Sequence, residues 1–223
     1  MGDAAAWTKL GFHVDPQTPS SPSPVVRLGD VVIRFSQSTL ASSQAESTTT
    51  TGFGLQRLGF KGLPDGVNEI GGIPVYRCDG PLSGHPSAAQ QINHHHPNTA
   101  SGIDHVVLYA KHEEDLIKSF AKAGIELKKR VEIFEDVVQL FFRPGQGTIL
   151  EVLVNHANHN HVWGLTVTVD DIQAARARLP DECASHIRDA RQKGRKILTI
   201  RHEAVGLNTA MAWMTPHVKK ASI

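Results

Sequence analysis

The stretch SGIDHVVLYAKHEEDLIKSFAKAGI, residues 101–125, decides how the chain is read. HVVLYA alternates apolar residues as a half-buried strand does. EEDLIKSFAKAGI follows with Leu116, Phe120 and Ala123 at helical spacing, and Gly124 stands where a helix C-cap wants glycine. A strand running straight into a helix is the first half of a supersecondary unit. Its apolar run begins with Asp104 and His105, and His105 has two readings here: a metal ligand at the mouth of a cavity, or a polar residue capping the strand.

Working outward, ELKKRVEIF, VVQLFFR and TILEVLV come next, the last two joined by the turn signal PGQG. The same order then recurs. GLTVTV is an alternating strand, DDIQAARARL is a helix opened by an Asp cap, and KILTIRHEAVGLNTAMAWMT supplies two extended runs around a Gly. Setting His105 against Gly164 places Val106, Leu108 and Ala110 opposite Leu165, Val167 and Val169, and Phe120 opposite Leu179. The block is a diverged internal repeat of strand, helix and three strands.

The amino-terminal part reads as damaged copies of that unit. AAAWTKLGFHV ends a helix at a Gly followed by a strand, VVRLGDVVIRF is a hairpin, and FGLQRLGFKGLPDGVNEIGGIPVYR has strands and Gly turns without a clear helix. Two polar stretches, SQSTLASSQAESTTTT at 36–51 and CDGPLSGHPSAAQQINHHHPNTASG at 78–102, are too poor in apolar residues to pack and read as surface loops or connectors.

Lys and Arg (23) nearly balance Asp and Glu (22), so no chain-wide field holds nucleic acid or an anionic membrane, and neither is expected as a partner. Cys78 and Cys183 are far apart and lack a CxxC partner, which specifies neither a disulfide framework nor a thiolate zinc site. MGDAAAWTKLGF lacks the basic and long apolar regions of a signal peptide, and no segment reaches the ~18 apolar residues of a membrane span. A cytoplasmic protein is expected.

The repeated units, with IDHVVL opening one strand and TILEVLV closing the unit, resemble the vicinal oxygen chelate superfamily, in particular its glyoxalase-like members, over residues 102–216. The resemblance implies an α+β fold in which repeated βαβββ units form cup-shaped, curled mixed sheets with the helices on the outside. It implies units at 102–154 and 161–216, a polar linker at 81–101, a tail at 217–223, and degenerate units in 1–80 that pack on the main domain. Known branches include glyoxalase I, extradiol dioxygenases, epimerases and metal-free drug-binding proteins, so membership does not choose a reaction.

Carried over residue by residue, the resemblance implies His105 and Glu151 as ligands of a divalent ion, Zn, Mn, Fe or Ni, with positions left open for vicinal oxygens of a substrate. Lyase or isomerase chemistry through an enediolate follows, with Glu151 as the base. The second unit departs from the pattern. Gly164 matches His105, and TAMAWM, with Met211 and Ala212, matches the segment of Glu151, so half a metal site remains. A metal-free reading stands beside it, in which Glu151, flanked by apolar residues, pairs with a polar neighbour and the chain sequesters a small ligand.

Other residues are candidates to line the cup. Gln139 and Phe141 alternate along one strand face, Trp163 precedes the second unit's first strand, and RQKGRK offers Gln192 and Arg195, the latter suited to a substrate carboxylate. His94, His95 and His96, like His156, His159 and His161, lack the spacing of a zinc motif. No dinucleotide fingerprint, GxSxG elbow or phosphate-binding loop occurs, and no nucleotide cofactor is expected. A homodimer is one way such paired units complete a cup; the amino-terminal segment is another.

Overall fold

A computed structural model describes residues 2–17, 23–35, 55–78, 95–134, 137–145, 147–154 and 157–217. His94 and His156 fall outside the described residues.

The predicted strand and helix form as β6 (Ala100–Ala110) and α2 (Glu113–Lys122), followed by β7 (Leu127–Phe134), β8 (Val137–Phe142) and β9 (Ile149–Val154). Leu116 and Phe120 are each 1% exposed, and the helix stops where Gly124 takes φ +75°. The second unit comprises β10 (His161–Val169), α3 (Ile172–Ala177), β11 (Arg188–Asp189), β12 (Lys196–Ile200) and β13 (Ala210–Met214). Asp171 caps α3 as predicted, its side chain accepting from the Ala174 amide at 2.9 Å. Between β12 and β13, HEAV forms a helical turn, α4 (His202–Val205), where an extended run was expected; Gly206 ends it at φ +78°.

All eight strands join one mixed sheet in the order β11-β12-β13-β10-β6-β9-β8-β7. Each unit therefore has the same internal order, with its last strand parallel to its first (β9 to β6, β13 to β10), and antiparallel pairing of β6 with β10 joins the two. Val106 pairs with Leu165 near the centre of that junction. A twofold through this pair carries His105 onto Gly164 and Val107 onto Thr166, the equivalence that the sequence alignment gave. Val106 accordingly packs against both hydrophobic clusters of the molecule.

Those clusters lie on the helix-bearing face. Under the first unit, Leu108 and Ala110 meet Leu116, Phe120 and Phe142, with the Phe120 and Phe142 rings stacked at 4.2 Å between centroids. Truncating either ring would cost about 3–5 kcal/mol. Under the second, Leu165, Val167 and Val169 meet Ile172, Ala175 and Trp213.

The amino-terminal segment packs onto these same clusters. α1 (Gly2–Lys9), the turn after it and the hairpin β1–β2 (Val25–Leu28 and Val31–Arg34) contribute Trp7, Leu10, Phe12, Val26 and Leu28 beneath the second unit. A three-stranded sheet of β3 (Leu58–Phe60), β5 (Ile73–Arg77) and β4 (Glu69–Ile70), in that spatial order, with the loop after β3, contributes Phe60, Leu63, Ile70, Ile73 and Val75 beneath the first. None of β1–β5 adds a strand to the large sheet. Among the described residues, no helix is long and apolar enough to cross a membrane.

Candidate functional site

Side chains alternate along a strand, so the residues between the core positions of β6 and β10 point to the sheet's other, open face. His105, Val107 and Tyr109 of β6 do so, with Thr166 opposite His105, Glu151 of β9 beside Val107, and Phe141 of β8 beside Glu151. The sequence-predicted pair His105 and Glu151 is thus brought together on one face.

A register shift sharpens this arrangement. Thr166 pairs with His105 and Val167 with Ile103, so Asp104 is an extra residue bulged out of the ladder. Bulges re-aim side chains, and here Asp104 lies alongside His105 with Oδ1 2.9 Å from Nδ1. A carboxylate only accepts, so Nδ1 carries the proton and Nε2 is left for other partners. Thr166 Oγ1 lies 2.9 Å from Nε2, and Glu151 Oε2 lies 3.8 Å from it. The other Glu151 oxygen accepts a hydrogen bond from the Gln139 side-chain amide.

Arg195 completes the network from the far side of the second unit. A tight turn, in which the Arg195 amide donates to the Gln192 carbonyl at 3.1 Å, aims the guanidinium inward, where it is 1% exposed. It donates to Asp104 Oδ2 at 2.5 Å, to the Thr215 carbonyl at 2.7 Å and to His217 Nε2 at 3.3 Å. Burial disfavours the charged Asp104 carboxylate, but hydrogen bonds from His105 and Arg195, with their charges, outweigh it and hold its pKa at about 2. Asp104 is therefore a fixed anion behind the imidazole.

The remaining candidates stand in different surroundings. Arg195 is committed to protein partners, and Gln192 is exposed on its turn. Phe141 is half-buried beside Glu151, with Lys129 Nζ 6.0 Å from its ring centroid. Trp163, 44% exposed, stacks on Tyr109. Of the histidine-rich segments, His96 is structural: it is buried, its Nδ1 accepts from the His13 amide at 2.9 Å and its Nε2 donates to the Arg27 carbonyl at 2.7 Å. A surface cavity of about 400 Å³, with Gly71, Lys111, His112 and His159 among its lining, sits apart from the His105 network. Asp104 and Thr166 enter the site through the bulge and the cross-strand register, neither of which shows in the one-dimensional pattern.

No protein-family model matches the chain, and no curated protein does. Solved structures do. A xylose isomerase-like TIM barrel/4-hydroxyphenylpyruvate dioxygenase fusion protein superposes at a TM-score of 0.55 and 13% identity, over 99% of this chain and 47% of that one. A triple mutant of 4-hydroxymandelate synthase from Streptomyces coelicolor superposes at 0.55 and 12% identity, over 90% of this chain and 81% of that one. The chain has the vicinal oxygen chelate fold. Methylmalonyl-CoA epimerase from Mycobacterium tuberculosis matches over 54% of this chain and 91% of its own, at 16% identity and a TM-score of 0.44.

The metal expected from the vicinal oxygen chelate resemblance is tested by the donors present. The twofold that relates the units carries His105 onto Gly164. Thr166 pairs with Ala212 as Val107 pairs with Glu151, so Ala212 takes the place of the second carboxylate. At those four positions one imidazole and one carboxylate remain, fewer than the three protein ligands usual for a catalytic zinc. Among the described residues, no group of three or more His, Cys, Asp or Glu could hold an ion. The described residues do not fit a resident metal.

Proposed function

We propose that this chain is a small-molecule enzyme that moves a proton on a carbon next to a carbonyl, using Glu151 and His105 without a metal. One observation carries the reading: His105 is gripped at Nδ1 by an anion while Nε2 faces a second carboxylate on the open face of the sheet.

In this reading Glu151 Oε2 takes a proton from the substrate carbon, and the electron pair left behind moves into the carbonyl. Imidazolium Nε2–H hands its proton to the carbonyl oxygen, giving a neutral enediol or enol. Where the carbon that lost its proton carries a hydroxyl, that hydroxyl gives its proton to Nε2 while Glu151 delivers a proton to the former carbonyl carbon, which completes an isomerisation. Return of the first oxygen-bound proton to Nε2, with protonation of the original carbon on its opposite face, completes an epimerisation. Asp104 stabilises the imidazolium and fixes the ring, as the buried aspartate of a hydrolase triad does. Gln139 holds the other Glu151 oxygen and so aims Oε2.

The competing reading is a protein of the same fold that sequesters its ligand. It is favoured by the modest exposure of the pair, with side chains 14% (His105) and 20% (Glu151) accessible. Deuterium exchange separates the two. Chelator-treated protein is incubated in D2O with 2-hydroxyaldehydes, 2-oxoacids and hemithioacetals of 2-oxoaldehydes, and loss of the carbon-bound proton is followed by NMR. Exchange that survives chelation and falls at least a hundredfold in Glu151→Gln and His105→Ala supports the enzyme. Exchange undiminished in both variants defeats this assignment, and saturable binding with no exchange leaves the sequestering protein.

A further inference from the structure

We propose that Tyr109 and Trp163 form a stacking platform for a planar, conjugated ring of the ligand bound on the open face. This rests on the reading that the open face binds a small molecule, and it names the chemical class of one end of that molecule.

Position comes first. His105, Val107 and Tyr109 lie on one face of β6, and that strand keeps its pairing with β9 without interruption from 105 to 110. Four residues at ~3.3 Å each place Tyr109 roughly 13 Å along the strand from His105. The open face thus has a charged end, with His105 and Glu151, and an aromatic end. Val107, level with Glu151, lies between His105 and Tyr109, and Leu153 stands beside Tyr109 at the aromatic end.

The aromatic end is built by a second bulge. Val162 pairs with Leu108 and Gly164 with Val107, so Trp163 is the extra residue on β10. Its ring lies over Tyr109 at 5.1 Å between centroids and 14° between planes, and the His161 ring stands edge-on to Tyr109 at 5.6 Å. Next to the bulge, Gly164 lets β10 and β13 approach closely, since a Cβ there would stand 2.5 Å from the Ala210 carbonyl oxygen. Two aromatic rings locked nearly parallel are a rigid surface whose outer face is ready to stack on a third.

Exposure singles out the same residue. Among the described residues, Trp163 and Tyr76 are the exposed large hydrophobics, and Tyr76 is already faced by the Arg57 guanidinium at 5.6 Å. Trp163 is the more open of the two and continuous with the His105 face. A ligand that fits both ends carries an oxygen function for Glu151 and His105 and, a flexible spacer away, a flat ring for Trp163.

The tryptophans make the test selective, because Trp7 and Trp213 are 3% and 0% exposed while Trp163 is open. Acrylamide quenching therefore reads Trp163. The probes are 6-phenyl-2-oxohexanoate and its ringless counterpart 2-oxohexanoate, with affinities measured by calorimetry. The phenyl compound is expected to bind at least tenfold more tightly and to shield Trp163 from acrylamide. That advantage should vanish in Trp163→Ala and in Tyr109→Leu while 2-oxohexanoate binds as before.

Equal affinity for the two probes, or an advantage that survives Trp163→Ala, overturns the platform. So does acrylamide protection that rises with protein concentration alone, which would mean that a second copy of the chain covers Trp163. The unmutated chain separates this inference from the proposed reaction: if it exchanges no proton yet keeps a phenyl advantage that Trp163→Ala abolishes, the chemistry is wrong and the platform stands.

Discussion

Arg195 Nη2 donates to Asp104 Oδ2 across 91 positions of sequence, from one βαβββ unit to the other, with the guanidinium 1% and the carboxylate 7% exposed. This pair is where the two units share a polar core. Both charges have lost most of their water, and each is satisfied by more than one hydrogen bond, the condition under which a buried ion pair is tolerated.

Removing one partner should therefore be costly. Arg195→Met is expected to lower unfolding free energy by about 3–5 kcal/mol, because it strands the Asp104 charge. Urea unfolding would show it as a lower midpoint. The double variant Arg195→Met with Asp104→Leu should recover part of the loss, and no recovery would mean that the arginine acts through its stem packing instead.

Acid should weaken the same contact. The folded pKa of Asp104, about 2, lies below its ordinary 3.8, so the folded chain binds this proton less readily than the unfolded one. The stabilisation, about 2 kcal/mol, is fully present above the unfolded pKa and is lost as pH falls through the folded value. Unfolding measured from pH 5 to 2 should steepen in this window for the wild type and flatten for Asp104→Asn. Equal slopes would remove Asp104 from the account.

Gly164, the counterpart of His105, cannot be returned to a ligand. A Cβ there would meet the Ala210 carbonyl oxygen at 2.5 Å and the Ala210 side chain at 2.9 Å, both on the parallel partner strand. Gly164→His is expected to lose about 1–3 kcal/mol of stability through overpacking and to gain no stoichiometric zinc. Calorimetric melting with elemental analysis of the purified variant checks both halves. A stable, zinc-loaded variant would show that the strands can part.

His105→Ala and Glu151→Gln should separate structure from chemistry. Both residues are partly exposed, and Gln keeps a hydrogen-bonding side chain beside Gln139, so Glu151→Gln should shift the melting temperature by only a few degrees. A large drop in thermal stability from Glu151→Gln would make the carboxylate a structural group first.

Several features were legible in sequence because they depend on neighbours along the chain. The 3.6-residue spacing of Leu116, Phe120 and Ala123, the glycine after them, and the Asp cap of α3 are local, and each element formed where its pattern said. The equivalence of Val106 with Leu165 was legible too, since strand alternation records which face a residue takes without recording its partner. The short helical turn α4 was missed because HEAV carries too few residues to show a period.

By itself, then, the sequence determined the repeated βαβββ unit, the faces of its strands, and the presence of His105 and Glu151 at matching places in one unit with nothing comparable in the other. Only the tertiary structure decided what surrounds those residues. Whether Asp104 turns beside His105 depends on one unpaired residue in the β6–β10 ladder, and whether Trp163 lies on Tyr109 depends on another. Arg195 reads along the chain as an edge residue or a substrate contact, and it is buried because a carboxylate from the other unit meets it. Cross-strand register and charge pairing at long range arise when the chain closes on itself, and alternation, propensity and spacing carry no record of either.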